Sequence, residues 1–264
     1  MNTEVSKAIL TMEPWRCVIE NTVWDEYKDG IVAGCEIIAS TTLKYVPQGG
    51  TVLDYGCGPL NKTSVLASLG YKCTGFDDYV EEWHRQGGNL DRIKRFAASN
   101  NITLATGDGS HSVELIPAGP FDMVMMIDVL EHLTDSPRVQ LNALASRLAP
   151  NGILLIMVPN AGNIRKRLLL LTGGTNLPRF DEFYWHPYKF VGHIREYVRG
   201  DLRSMAQFLG LELLELRGVD TMLQKVPKAL RPLYLAGTAP FNGLKDTWLM
   251  VCRRPPNWSP RLSR

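Results

Sequence analysis

The sequence predicts an α/β fold: a Rossmann-like, doubly wound, seven-stranded and mostly parallel sheet with helices on both faces. Insertions are expected after strand five and before the last strand. Three observations predict this. Short apolar runs alternate with segments of helical period along most of the chain. Phe121–Ile127 after Asp122, and Ile153–Val158 throughout, are uninterrupted apolar runs, as in strands buried on both faces. The run Val52-Leu53-Asp54-Tyr55 enters a glycine-rich turn, Gly56-Cys57-Gly58-Pro59, which leads into a helix.

The elements follow in order. Residues 1–48 read as an N-terminal helical cap and 49–264 as the sheet domain. Ile31–Tyr45 has apolar residues at helical spacing and stops near Pro47 and Gly49-Gly50. Its apolar face is read as packing against the sheet; the alternative is a lid that brings Trp24 or Tyr27 to a ligand. Strand one is Thr51–Asp54, followed by a helix over Ser64–Leu69. Strand two is Tyr71–Phe76, ending at Asp77-Asp78. A helical pattern runs from Val80 to Ala98 with a break at Gly87-Gly88. Strand three, Ile102–Ala105, ends at Gly107-Asp108-Gly109. Strand four is Phe121–Ile127, and a helix spans Pro137–Leu148. Strand five, Ile153–Val158, stops at Pro159. Two irregular insertions follow, at about 160–192 and 219–245, separated by a helix, Asp201–Leu209, with Asp201 as its expected cap, and a strand, Leu211–Leu216. Thr247–Cys252 is the last strand.

Composition excludes several classes. The chain has 264 residues, 45% of them hydrophobic and 21% charged, with a formal net charge of +2. That is ordinary for a globular protein and gives no sign of a polyanion binder. The five cysteines are scattered, odd in number and never spaced Cys-x-x-Cys, which argues against a disulfide framework or zinc knuckle. A reducing cytoplasmic setting is expected. Met1–Leu10 has charges and no apolar core, unlike a signal peptide, and no apolar run nears the roughly 20 residues needed to cross a bilayer.

In a doubly wound sheet, ligands collect beyond the carboxyl ends of the strands. The glycine turn lets a ligand approach the backbone, and the helix after it offers unpaired N–H groups and a positive dipole end. Asp54 adds an acceptor for an amino group. Asp77, at the end of strand two, suits the two hydroxyls of a ribose. Asp108, after strand three, suits an exocyclic amine on a base. Asp128 begins the segment Asp128-Val129-Leu130-Glu131-His132-Leu133 after strand four. These positions describe a nucleoside-type ligand laid across the sheet edge.

With these motifs in order, the chain resembles the class I S-adenosylmethionine-dependent methyltransferases, in the small-molecule group near the ubiquinone-biosynthesis type. The resemblance rests on Val52–Pro59, Gly75-Phe76-Asp77, Gly107-Asp108, Phe121-Asp122, Asp128–Leu133, Leu148–Gly152 and Gly192–Tyr197 leading to Asp201-Leu202, and covers about residues 50–218. It implies that Asp54, Gly56 and Gly58 hold the methionine part of S-adenosyl-L-methionine. It implies that Asp77 takes the ribose, that Asp108 with Gly109 takes the adenine end, and that Asp128 lies near the transferred methyl. The family often has a third glycine where this chain has Leu60, which bears on how tightly the turn meets the ligand.

Transfer from a sulfonium is an in-line displacement, so alignment matters most, and an oxygen acceptor also gains from a base. His132 and His193 are the candidates. Asp128, Glu131 and His132, at i, i+3 and i+4, would share a face of a helical turn and so could chelate a divalent metal. The favoured alternative leaves Glu131 paired locally, with no metal. Arg165-Lys166-Arg167 reads as a solvated turn or, alternatively, a site for phosphate or anionic lipid. Leu168–Leu171 and Leu230–Leu235 make a peripheral membrane contact conceivable. The aromatic run Phe180–Tyr188 reads either as insertion packing or as an acceptor pocket. The expected reaction is methyl transfer to a small molecule, at an oxygen of a sugar, glycolipid precursor or phenol. The alternatives are a nucleic-acid methyltransferase, disfavoured because no Asn/Asp-Pro-Pro-aromatic signature follows strand four, a silent binding protein with the same fold, and a nicotinamide dehydrogenase.

Overall fold

The structure is a computed structural model that describes residues 28–80, 84, 86–110, 112–186, 190 and 192–263. The expected cap therefore enters only through its last helix, and the lid reading of Trp24 and Tyr27 lies outside the described residues. Seven strands form one sheet: β1 (Thr51–Tyr55), β2 (Lys72–Asp77), β3 (Thr103–Thr106), β4 (Phe121–Ile127), β5 (Leu148–Pro159), β6 (Glu212–Val219) and β7 (Thr247–Arg253). Their order is β3-β2-β1-β4-β5-β7-β6. β7 runs antiparallel to both its neighbours, and the other pairings are parallel. The chain order reverses between β1 and β4, which marks the crevice where such sheets take ligands.

The doubly buried strands follow from their side-chain alternation. Val124 and Met126 of β4 join one core cluster, while Met123, Met125 and Ile127 join the other. β5 divides in the same way, with Leu154, Ile156 and Val158 against Ile153, Leu155 and Met157. The first face is covered by helices α4 (Arg138–Ser146) and α7 (Arg199–Leu209) through Leu141, Leu144, Leu202 and Leu209. The second is covered by α1 (Lys28–Tyr45), α2 (Asn61–Ser68) and α3 (Asn89–Ser99) through Ile38, Leu66 and Ile93. An apolar strand with such alternation needs helices on both sides, and the sequence supplies them.

Several boundaries differ from expectation. α2 begins at Asn61, three residues early, because Leu60 takes a left-handed backbone (φ 67) and ends the turn itself. α7 begins at Arg199, so Asp201 lies inside its first turn, where its carboxylate accepts from the Val198 N–H at 3.3 Å. The segment after β4 is a 3₁₀ turn, Leu130–His132, and Asp128 stands before it with φ 56.

The first insertion carries α5 (Ile164–Leu171) and α6 (Phe180–Tyr184), and the second carries α8 (Arg231–Thr238). Both leave from the carboxyl edge of the sheet, where Pro159 and Val219 each pair with Thr247. Buried Asn160 joins their roots. Its amide donates to the Gly243 and Lys245 carbonyls at 3.0 and 2.8 Å, and its Oδ1 accepts from the Gly162 N–H at 2.8 Å. Asp246 holds the second insertion from the other side, accepting from the backbone N–H groups of Thr221 and Met222 at 2.9 and 3.0 Å.

Candidate active site

The register aligns the carboxyl ends of the central strands. Tyr55 pairs with Phe76 and Met126, and Asp77 pairs with Thr106. The glycine turn, Asp77, Gly107-Asp108 and Asp128 therefore share one edge.

The turn is fixed from three sides. The Gly56 and Cys57 N–H groups donate to the Phe76 carbonyl at 2.8 and 3.2 Å. Gly56 has φ 76, and a Cβ there would stand 2.2 Å from Val129 Cγ2, so close packing against the β4 loop requires glycine. Gly58 has φ 49, and a Cβ there would meet nothing within 4 Å. One glycine is demanded by packing, and the other faces open space on the ligand side. Leu60, in the family's third glycine position, is fully buried in the core with Val52 and Met125. It adopts the backbone a glycine would and sends its side chain away from the edge.

Asp77 reaches back to this turn. One of its oxygens accepts from the Gly58 N–H at 2.8 Å and the other from the Tyr79 N–H at 2.9 Å. Burial raises its pKa, and these two backbone bonds oppose the rise. Each oxygen keeps a lone pair for a further donor. Buried Tyr79 donates its hydroxyl proton to the Gly58 carbonyl at 2.9 Å, so it braces the same turn. Sequence reasoning missed Tyr79, because an aromatic residue two positions past an acid carries no motif. Asp108 is exposed, and bonds from the Ser110 side chain and N–H hold its pKa below the usual carboxylate range. Gly109 (φ +80) backs onto Val80, at the same edge.

Asp54 lies beneath the turn, 2% exposed, and accepts from the Thr63 hydroxyl at 2.6 Å. Burial pushes its pKa up to about 6 against the opposing Thr63 bond. Asp128 pairs with Lys62 at 2.6 Å. Burial acts to lower the Lys62 pKa, and the Asp128 carboxylate more than offsets it. Asn61, the first residue of α2, keeps a buried Oδ1 with no partner among the described residues, and α2 has no side-chain cap. An uncapped helix end, an orphaned amide oxygen and an open face at Gly58 fit a polar ligand such as the methionine end of S-adenosyl-L-methionine.

The second cluster differs from the optional metal set of Asp128, Glu131 and His132. Asp128 does not share a helical face with Glu131 and His132, since its left-handed backbone turns its carboxylate to Lys62. His193 takes that place: Glu131, His132 and His193 each offer a ligand atom within 4.8 Å of the others. The two imidazoles meet edge to face, 5.0 Å between centroids. Backbone bonds from the Ile194 and Arg195 N–H groups to the Glu131 carbonyl, at 2.7 and 3.3 Å, bring the His193 loop to β4. Glu131 is 1% exposed, its Oε1 is 4.0 Å from Nε2 of each histidine, and its Oε2 has no partner among the described residues. Burial, then the nearby Asp128, pushes its pKa up to about 8. His193 Nδ1 lies 2.9 Å from Glu196 Oε1. That contact assigns the Nδ1 proton and leaves the Nε2 lone pair toward Glu131. Burial and His132 push the His193 pKa down to about 4, so its ring is neutral at pH 7. Lys166 pairs with the other Glu196 oxygen, and its own pKa falls to about 8 through burial and neighbouring Arg165.

Fold and site together define a doubly wound domain with a glycine turn and a row of carboxylates at its switch point. A profile of the methyltransferase-domain family matches residues 35–216, and the chain belongs to that family, the class I S-adenosylmethionine-dependent methyltransferases. It is 30% identical over 114 residues to a ubiquinone biosynthesis O-methyltransferase from Caulobacter vibrioides, covering 43% of this chain and 42% of the relative. A protein of the same description from Psychrobacter arcticus is 29% identical over 149 residues, 54% of each chain. The chain thus spans about half the length of the curated relatives it matches. Among solved structures, magnesium protoporphyrin IX methyltransferase from Synechocystis PCC 6803 with bound SAH aligns at TM-score 0.53 and 17% identity, covering 92% of this chain and 93% of that one. A cyclopropane-fatty-acyl-phospholipid synthase-like protein from Lactobacillus casei aligns at 0.59 and 12%, covering 91% and 99%. These two likenesses support the fold.

Two outcomes are expected. Gly56→Ala should lower stability by about 2–4 kcal/mol through strain and overpacking against Val129. Gly58→Ala should cost about 1 kcal/mol or less and instead weaken cofactor binding; denaturant melts and calorimetry on both variants check the contrast. The raised Asp54 pKa means that the folded state binds its proton more tightly than the unfolded chain does. Its stabilising contribution is therefore complete below about pH 4 and lost as pH rises through about 6. Asp54→Asn should gain stability relative to the native protein over that window, on the order of 2–3 kcal/mol at pH 7, as read by denaturation at pH 4 and pH 7.

Proposed function

We propose that the protein transfers a methyl group from S-adenosyl-L-methionine to an oxygen of a small-molecule acceptor, a sugar, glycolipid precursor or phenol. The observation that carries this reading is His193 Nε2 beside His132 and Glu131, at the sheet edge that also holds Asp77, Asp108 and the glycine turn. An imidazole whose Nδ1 is tied to Glu196 can take a hydroxyl proton at Nε2 as the acceptor attacks.

In this reading, the glycine turn and the start of α2 hold the methionine end, Asp77 accepts from the ribose hydroxyls, and Asp108 accepts from the adenine amine. The cofactor supplies an electrophilic methyl on a sulfonium. The chain's own residues fix direction and protonation. Glu196 holds the His193 ring through Nδ1 and is itself held by Lys166, so Nε2 keeps one orientation beside Glu131 and His132.

A second reading gives the cluster to a divalent cation. Its support is the buried Glu131 Oε2, which has no partner among the described residues, between two imidazoles. A cation bound by Glu131, His132 and His193 would polarise an acceptor oxygen.

Asp77→Ala should weaken S-adenosylhomocysteine binding at least tenfold, about 1.4 kcal/mol, in calorimetric titration; unchanged affinity would remove Asp77 from the site. On a panel of phenols and sugars, His193→Gln should cut kcat by about a hundredfold or more, with S-adenosylhomocysteine affinity within about twofold. Turnover that is lost in EDTA and restored by Mg2+ assigns the cation reading; turnover indifferent to EDTA assigns the base.

A further inference from the structure

The carboxyl edge carries a surface that methyl transfer does not use. α5 holds four consecutive leucines, Leu168–Leu171, and none of them is buried. Leu171, Phe180 and Trp185 of the first insertion and Leu233 of the second expose between 73% and 83% of their area. A patch of this kind is unusual on a surface that meets only water.

Its charge is equally one-sided. Residues 160–192 and 219–245 hold nine lysines and arginines against three carboxylates, although the whole chain is only +2. Arg165, Arg167, Arg199, Lys225 and Lys228 make no ion pair among the described residues. Arg165 Nε is buried with no partner among them. Between the insertions, a cavity of about 500 Å3 is lined by Arg167, Arg199, Phe241 and the chain from Pro240 to Leu244. Two guanidinium groups without a carboxylate suit a phosphate. Asn160 ties the roots of the two insertions together, and the cavity sets Arg167 of the first beside Pro240–Leu244 of the second.

We propose that the two insertions form a docking surface for a bilayer containing anionic phospholipid, with leucines and aromatic rings entering the interface and the Arg167–Arg199 cavity taking a lipid phosphate. Apolar insertion beside clustered arginine and lysine is the chemistry of an interfacial contact. Among the described residues no helix is long and apolar enough to cross a membrane, so the contact is peripheral. A second copy fits less well, because self-association would set two strongly basic faces together. Docking would place the carboxyl edge of the sheet at the membrane surface. The proposal stands on surface chemistry alone and does not require the methyltransferase reading.

Sedimentation of the full chain with vesicles tests it, using phosphatidylcholine alone and phosphatidylcholine with about one third phosphatidylglycerol. The bound fraction should be at least about fivefold higher on the anionic vesicles and fall to the neutral level in about 1 M NaCl, where screening reaches within about 3 Å. Leu171→Glu, and separately Arg167→Glu with Arg199→Glu, should each lower it at least about fivefold with an unchanged thermal melt. Leu171→Glu keeps the test open if the arginine variant fails to fold. Equal sedimentation with both vesicle types, or none with either, overturns the proposal. So does a concentration-dependent dimer, seen by analytical ultracentrifugation, that Leu171→Glu abolishes while vesicles bind nothing.

Discussion

The structure depends on one constraint: the chain must turn from β1 into α2 across the five residues 56–60 while each backbone N–H of that turn finds a partner. Left-handed backbone at Gly56, Gly58 and Leu60 accomplishes this. Such a turn does not hold itself. The Phe76 carbonyl, the Asp77 carboxylate and the Tyr79 hydroxyl grip it from β2, and Val129 closes on it from the β4 loop. This edge is therefore a joint product of three strands, and the sheet order that makes β1 the neighbour of both β2 and β4 is what allows it.

The electrostatics of the edge follow from burial. Asp54 and Glu131 lie in the core side of the site and resist ionisation, while Asp128 is held by Lys62. Carboxylates gathered where water is scarce favour a positive partner. Lys62 supplies one. A ligand carrying an ammonium or sulfonium would meet the same field. On the far side of the cluster, Lys166, Glu196 and His193 form a chain that sets one imidazole nitrogen toward Glu131. The two groups of residues thus meet at the end of β4, where Asp128 and Glu131 stand three residues apart.

Much of this was legible in the sequence, and the residues show why. The uninterrupted runs of β4 and β5 announced strands buried on both faces, and the two core clusters divide them by alternate residues. Asp77, Asp108 and Asp128 could be placed because the ends of strands are marked by the change from apolar to polar residues. The direction of the Asp128 side chain could not. Periodicity assumes a continuous helix, and a left-handed aspartate breaks that assumption with no change in residue pattern. The pairing of Glu131 with His193 was hidden for another reason: it is made by backbone bonds between loops far apart in the chain, which no local signal reports. Leu60 looked like a departure at a glycine position, yet the backbone there is glycine-like and the side chain is spent on the core.

The central claim is that the glycine turn and its braces receive the cofactor. Hydrogen–deuterium exchange with and without S-adenosylhomocysteine tests it most directly. The account predicts added protection in peptides covering 55–63, 77–80 and 107–110, with little change in β6 and β7. Tight binding that leaves 55–63 and 77–80 unprotected would contradict it.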